Sequence, residues 1–367
     1  MSQDVEIWRA ETGILDLPEN WEALRVEELS SVRDAWKSEQ ERLKASDQLS
    51  RFTDQMSREW AIETGIIENL YEIERGVTKT LVEQGFQSAI LETGTTNKPR
   101  DWVIQLLKDQ QDALEGLFSF ITHERTLSTS YIKELHGVML QSQSYVDGKD
   151  SYGNYIKIPL LRGDWKKQTN YPYKDGITYR YCPPEQVASE MDRLIAMHHE
   201  HQGRQVPPEI EAAWLHHRFS QIHPFQDGNG RVARTVASLV FIQSGLFPLV
   251  VTRDEKVEYL SALEEADAGE LKRLIDLFAK LQRFRYRMAV SISETTQRTS
   301  VEQALQSLKT SVSRRVERRK AQLDQVFDFA EALQNRISER LLPVSLQVQQ
   351  VLHQLEPTSQ TDRKSVV

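Results

Sequence analysis

Apolar residues recur at intervals of three and four along nearly the whole chain, and glycine and proline interrupt them sparsely, so the fold must be mainly helical. From about Glu22 to Gln84, charged stretches carry apolar residues at helical spacing, such as Trp60, Ile67, Leu70 and Tyr71. The tract Thr95 to Asp101, TTNKPRD, reads as a connector, and helical spacing resumes with Trp102, Leu106, Leu107, Leu114 and Phe118. A further helix carries Tyr131, Leu135, Val138 and Met139. Pro183 and Pro184 open another, whose apolar face is Val187, Met191, Leu194 and Ile195. Pro208 to Phe219 reads as helix, Val232, Val236, Leu239 and Val240 mark a central buried one, and a helical segment from Val257 to Met288 follows.

One stretch breaks the pattern. Between Gln143 and Pro184 stand Gly148, Gly153, Gly163 and Gly176 among aromatics and prolines. There Lys174-Asp175-Gly176 separates two tyrosine-rich runs, QTNYPY and ITYRY, and an Asp-Gly pair so placed predicts a β-hairpin. The expected fold is all-α with this one small hairpin. Beyond about Ser291 the chain is charged and free of glycine. Leu305, Leu308, Val312, Val316, Leu323, Phe327, Leu333, Ile337 and Leu341 follow an approximate 3–4 spacing up to Pro343. That spacing fits either a coiled-coil or partner helix, or a helix folded back on the core, and the last residues, TSQTDRKSVV, are expected to be disordered.

The chain's 367 residues leave room for two or three packed units. A net charge of −8 gives no support for nucleic-acid binding. With Cys182 alone there is no intrachain disulfide, which fits a reducing compartment. The start, MSQDVEIWRAETG, lacks a secretory pattern, and no run of about 18 apolar residues is present to span a membrane. A cytoplasmic, soluble protein is the expectation.

Chemistry concentrates in His223 to Arg234, HPFQDGNGRVAR. Asp227-Gly228-Asn229-Gly230 forms a turn directly before a strongly helical run; glycines let backbone N–H groups converge, and the helix start adds positive potential, which together make an anion site. Arg231 and Arg234 lie three apart, so both guanidiniums reach the same end and can hold phosphate oxygens. Asp227 sets a single carboxylate beside that site, a donor that suits Mg²⁺ shared with phosphates and water. His223 precedes the loop and can accept a proton near neutral pH. Singly, these residues are commonplace: a helix start, two solvated arginines, a turn histidine. Together, at fixed spacing, they describe phosphoryl or nucleotidyl transfer.

This run resembles the HxFx(D/E)GNGRxxR motif of the Fic (filamentation-induced-by-cAMP) family at every specified position, and the preceding HHRFSQI is similar to the helix that enters the motif loop there. The resemblance covers roughly Trp102 to Met288. It implies a helical core with the motif loop between two helices and a β-hairpin flap over the site, for which Lys174-Asp175-Gly176 is the candidate. Helical N- and C-terminal extensions would flank that core, giving an N-terminal region 1–101, a catalytic core 102–290 and an extension 291–367.

By the same resemblance the chain is expected to be a protein adenylyltransferase, moving AMP from ATP–Mg²⁺ to a Ser, Thr or Tyr hydroxyl of a target protein or of itself. His223 would be the general base, Phe225 would anchor the loop, and Asp227 would hold Mg²⁺. Gly228, Asn229 and Gly230 would line the anion hole, and Arg231 and Arg234 would orient the β- and γ-phosphates. The intact GNGR favours AMP over phosphate transfer. Phosphocholine or UMP transfer, de-AMPylation, a non-catalytic nucleotide-sensing scaffold and an antitoxin-controlled toxin are the alternatives. The intact set of His223, Asp227, Arg231 and Arg234 speaks against the scaffold.

Thr64-Gly65-Ile66-Ile67-Glu68-Asn69 matches the family's inhibitory pattern (S/T)xxxE(G/N). Glu68 would then pair with Arg234 and keep it from the γ-phosphate; Glu63, five residues earlier, lies on a different helical face. A target segment is expected to add to the exposed edge of the flap, with Gln168, Asn170 and Tyr171 supplying side-chain contacts. A homo-oligomer is compatible with these features. His198-His199-Glu200-His201 is read as a solvated helix end, since adjacent helical histidines diverge by about 100°. Trp214 and Phe219 are expected in the core, and Cys182 as a small buried apolar residue.

Overall fold

The computed structural model describes residues 3–43, 48–87, 90–91, 94–122, 125–149, 154–174 and 177–355. In chain order these form strand β1 (Gln3–Glu6), a 3-10 turn (Trp21–Leu24), α1 (Glu28–Leu43), α2 (Gln48–Ile67), α3 (Arg75–Gln84), α4 (Arg100–Thr122) and α5 (Thr129–Met139). Strands β2 (Tyr145–Lys149), β3 (Tyr155–Pro159), β4 (Tyr173–Lys174) and β5 (Ile177–Arg180) follow. Then come α6 (Pro184–Gly203), α7 (Pro208–Ile222), α8 (Asn229–Gln243), α9 (Lys256–Asp267) and α10 (Lys272–Leu355). The helical expectation is met, and prolines sit in the first turn of α6 and α7, where their missing N–H costs no helical bond.

α7 and α8 are the paired centre of the fold. Ala212, Ala213, Trp214, Leu215 and Phe219 of the first, with Val232, Ala233, Val236, Ala237 and Leu239 of the second, are buried, which is why neither helix is clearly two-faced. A second cluster joins Ile62, Tyr71, Ile73, Leu81, Leu91, Val103, Leu106 and Leu107. It holds the end of α2 against α4. Gly65 makes the approach of Tyr71 possible, since a Cβ there would lie 2.2 Å from the phenol oxygen. The Tyr71 hydroxyl in turn lies 3.2 Å from the Ala61 and Ile62 carbonyls and accepts from Gln110 Nε2.

The β content exceeds the single hairpin expected. β4 and β5 are antiparallel with Tyr173 opposite Thr178 and Lys174 opposite Ile177; the connecting Asp175 and Gly176 lie outside the described residues. β1 adds in parallel to the other side of β5, with Gln3 opposite Ile177 and Glu6 opposite Arg180. β2 and β3 form a separate antiparallel pair with Tyr145 opposite Pro159. In that pair Asp147-Gly148 lies within β2, so this Asp-Gly is strand and not turn.

The chain after β1 is fastened to the core by buried polar contacts. Glu190 accepts from Trp8 Nε1 at 3.2 Å and Ile14 N at 2.7 Å, while the Leu15 carbonyl accepts from Trp214 Nε1 and Arg218 Nε. His198 and His201 are buried, not solvated as expected. Both share Glu211, at 2.6 and 2.7 Å, and His201 also reaches Asp16 at 2.6 Å, so burial is offset by paired carboxylates. His199 remains exposed.

Residues 1–293 form one compact unit and 294–367 a second. The expected helix from Val257 to Met288 is broken between α9 and α10, with Gly269 at φ 103° after the α9 C-terminus. α10 runs through Pro343, where the sequence pattern was expected to end. In the second unit Leu308, Val312, Val316, Leu323, Phe327, Leu333, Ile337 and Leu341 are exposed. TSQTDRKSVV lies outside the described residues. Among the described residues no helix is long and apolar enough to cross a membrane.

Candidate active site

The motif spans the turn from α7 to α8. α7 ends on His223, whose backbone is left-handed at φ 52°, ψ 57° and whose N–H caps the Phe219 carbonyl at 3.0 Å. A non-glycine residue in that region costs about 1 kcal/mol or more and needs external support. Phe225 supplies it: fully buried, it stacks on His136 at 3.7 Å and 9° and tilts against Trp165. Asn229, also buried, closes the loop from inside. Its Oδ1 accepts from Phe225 N and its Nδ2 donates to the Phe225 carbonyl, both at 2.8 Å.

Gly228 stands at φ 79° immediately before α8, where a side chain would also meet Leu140 at 2.9 Å. Asp227 precedes it. Burial pushes the Asp227 carboxyl up, but Arg231, the Gly228 backbone and Gln143 outweigh that and hold it below the ordinary carboxylate range. Gln143 Nε2 donates to Asp227 Oδ2 at 2.5 Å, and Arg231 Nη2 donates to Gln143 Oε1 at 3.0 Å and to Asp227 Oδ2 at 3.2 Å. Arg231 Nε and Nη1 are buried and lack a hydrogen-bond partner among the described residues. Two unpaired guanidinium donors beside an ionised carboxylate at a helix start are what a phosphate with a divalent cation would satisfy.

Arg234, one turn further along α8, is held by α2. Its Nη2 lies 2.8 Å from Glu68 Oε1, its Nε donates to Thr64 Oγ1 at 2.8 Å, and Nη2 donates to the Thr64 carbonyl at 3.0 Å. Burial lowers the Arg234 pKa, and Glu68 with Tyr259 more than restores it, so the guanidinium is firmly charged. Glu68 follows the last residue of α2, and Asn69 takes φ 55° while Leu70 N returns to the Gly65 carbonyl. A left-handed residue there explains why Gly or Asn follows the glutamate in the pattern. Glu68 also leans over Gly230: a Cβ on Gly230 would lie 2.3 Å from Glu68 Oε1. The carboxylate thus rests at the positive end of α8. Glu63 is committed elsewhere, to Arg253, at 2.6 Å.

The His223 ring is half-buried and lies against Tyr181, centroids 4.0 Å apart and 17° between planes. Burial, then the charge of Lys166, lowers its pKa to about 3, against a hydrogen bond with the Ser220 backbone that raises it. The ring is therefore neutral at pH 7.

Sequence reasoning missed several residues that build this site. His136 Nδ1 accepts from Gly163 N at 2.9 Å and its Nε2 lies 3.1 Å from the Asp227 carbonyl, so one neutral tautomer props the loop. Lys166, 3% exposed, donates from its backbone N to the Pro224 carbonyl and from Nζ to Asn170 Oδ1. Asn170 Nδ2 donates in turn to the Phe225 and Gln226 carbonyls, at 3.0 and 3.3 Å, so it faces the motif loop. Gln168 is exposed, and Tyr171 lies under Arg180 at 5.3 Å. Cys182 is fully buried and burial pushes its thiol up to about 12, which leaves it inert. Beside the site, a cleft of about 840 Å³ is lined by Asn69, Trp102, Tyr145, Lys157 and Asp227, among others.

The Fic/DOC family model matches residues 126–241. The chain is 30% identical over 103 residues to protein adenylyltransferase fic-1 of Caenorhabditis elegans, a stretch that covers 28% of this chain and 20% of that protein. Over 89 residues it is 37% identical to a Fido domain-containing protein of Dictyostelium discoideum, covering 24% of this chain and 62% of that one. Each match spans less than two thirds of the relative's own length. Among solved structures, a Fic domain containing signaling protein from Bacteroides thetaiotaomicron is similar at a TM-score of 0.58 and 22% identity, over 73% of this chain and 97% of that one. Fic-1 from Caenorhabditis elegans is similar at 0.58 and 21%, over 74% and 72%.

Proposed function

The chain belongs to the Fic family, and from that premise we propose that it is an ATP-dependent protein adenylyltransferase held inactive by its own second helix. The observation that carries the reading is Arg231 at the start of α8, which binds the ionised Asp227 through Nη2 and keeps Nε and Nη1 without a partner among the described residues. ATP is the substrate. Its phosphates would take the α8 N-terminus and the Arg231 donors, and Asp227 would hold Mg²⁺, which supplies charge neutralisation to the departing pyrophosphate. His223 meets the target hydroxyl neutral. The hydroxyl oxygen attacks the α-phosphorus, its proton passes to His223, and the bond from the α-phosphorus to the bridging oxygen breaks to release pyrophosphate. The bound anion opposes both burial and the Lys166 charge, and so strengthens His223 as an acceptor when it is needed.

Inhibition follows from the same geometry. Glu68 claims Arg234 and rests against Gly230, so a γ-phosphate at that end of α8 would be deprived of its guanidinium and repelled. The test is AMP incorporation from α-labelled ATP with Mg²⁺ by the intact chain, Glu68→Gly, and Glu68→Gly with His223→Ala. Strong labelling in Glu68→Gly alone supports transferase, brake and base together. No labelling in any of them, with or without added cell extract, removes the adenylyltransferase reading, and UTP, GTP and CDP-choline become the donors to try.

A further inference from the structure

We propose, on the reading of His223 as the base, that Tyr181 is its positioning residue: the phenol ring fixes the plane in which the imidazole receives the hydroxyl proton. His223 ends α7 in a left-handed conformation, with the Ser220 backbone beside its ring. The backbone alone leaves rotation of the ring about its Cβ–Cγ bond open. Tyr181 closes that freedom, since its ring lies 4.0 Å from the imidazole and within 17° of parallel.

The phenol is itself held on both sides. Arg180, the last residue of β5, precedes it, and the fully buried Cys182 and the proline that caps α6 follow. Burial, then Asp267, Tyr179 and Glu68, pushes the phenol up to about 12, so it is no rival base. The stack holds the direction in which the accepting imidazole nitrogen points. Because Tyr181 directly continues β5, the strand that forms the flap and the ring that receives the proton are consecutive in the chain. A segment docked on the flap is thereby registered against the base.

The test uses the full chain carrying Glu68→Gly, alone and combined with Tyr181→Ala or Tyr181→Phe. Turnover, ATP affinity by nucleotide titration, and the His223 tautomer by ¹⁵N NMR of histidine-labelled protein are the three readouts. Tyr181→Ala is expected to lower kcat by about a hundredfold, the scale of a misplaced reacting group, with ATP affinity unchanged. It should also turn a single His223 tautomer into a mixture, and Tyr181→Phe should restore both turnover and the single tautomer. If Tyr181→Ala keeps the parent's kcat and tautomer, or Tyr181→Phe is as impaired as Tyr181→Ala, the proposal is wrong. If none of the variants transfers AMP but the tautomer is lost only in Tyr181→Ala, the positioning role stands and the adenylyltransferase reading fails.

Discussion

Thr64 grips Arg234 twice, accepting from Nε on its hydroxyl at 2.8 Å and from Nη2 on its carbonyl at 3.0 Å. Together with Glu68 it occupies one guanidinium from two points one helical turn apart. The threonine of the inhibitory pattern is therefore a second grip on the same cation, and not merely a helix residue. Thr64 lies in the last turn of α2 and Glu68 directly follows it, and the Tyr71 cluster presses that end of the helix against α4.

Thr64→Val keeps the shape and removes the side-chain acceptor. A hydrogen bond to a charged group contributes about 1.5–3 kcal/mol, so the grip should loosen without vanishing. Self-labelling with α-labelled ATP should fall between the intact chain and Glu68→Gly. Labelling of Thr64→Val equal to that of the intact chain would leave Glu68 as the sole brake.

Gly230→Ala tests the close approach of Glu68. The added Cβ would meet Glu68 Oε1 at 2.3 Å, and Glu68, at 30% side-chain exposure, can swing outward. The expected loss is the Glu68–Arg234 pair, so Gly230→Ala should destabilise the intact chain by about 1–3 kcal/mol. In the Glu68→Gly background the same substitution should cost little. A double-mutant cycle of urea midpoints reads the difference as coupling. Equal costs in both backgrounds would mean that the contact does not exist in solution.

What the sequence could show follows from how far apart the partners lie. His223 to Arg234 was legible because the base, loop, carboxylate and both arginines fall within one turn-and-helix unit, and the motif encodes its own geometry. Thr64 and Glu68 were legible because the end of α2 and the residue after it carry them at fixed spacing. Gln143, His136, Lys166 and Tyr181 were not. Each is a single polar or aromatic residue whose partner lies tens of residues away, such as Asp227 for Gln143, and no local period marks it. β1 escaped for the same reason, since four residues that pair with β5 across nearly half of the chain leave no turn signal. The Asp-Gly of β2 carried a turn signal that cross-strand pairing with Ile156 and Lys157 overrode.

Acid should weaken the site before the bulk of the fold. Burial holds His136 neutral down to about 4, against an ordinary 6.5. The unfolded chain then binds a proton that the folded chain refuses, so this stability is complete above 6.5 and is lost as the pH falls toward 4. Across that window the loss is about 3 kcal/mol for His136. Burial and Lys166 lower His223 in the same direction, whereas Glu211 and Asp16 raise His201 and oppose the trend. The informative quantity is thus the difference between the parent and His136→Gln in urea unfolding at pH 7 and pH 5. The variant should lose less stability on acidification, and an unchanged difference would remove His136 as the source.

Asn170 separates loop support from target recognition. Its amide donates to the Phe225 and Gln226 carbonyls and its oxygen accepts from the buried Lys166 ammonium; the Phe225 carbonyl keeps Asn229, so Asn170→Ala strands two polar groups, the Gln226 carbonyl and the Lys166 ammonium. Leaving such groups unsatisfied costs about 1–3 kcal/mol each at full burial. In the Glu68→Gly background Asn170→Ala should lower thermal stability and self-labelling for every target alike. Gln168→Ala, on the exposed approach to the flap, should leave stability and ATP affinity alone and change only which proteins in an extract are labelled. If Asn170→Ala instead behaves as Gln168→Ala does, changing target choice with stability intact, its side chain reads the target, and its bonds to the loop carry little of the site's order.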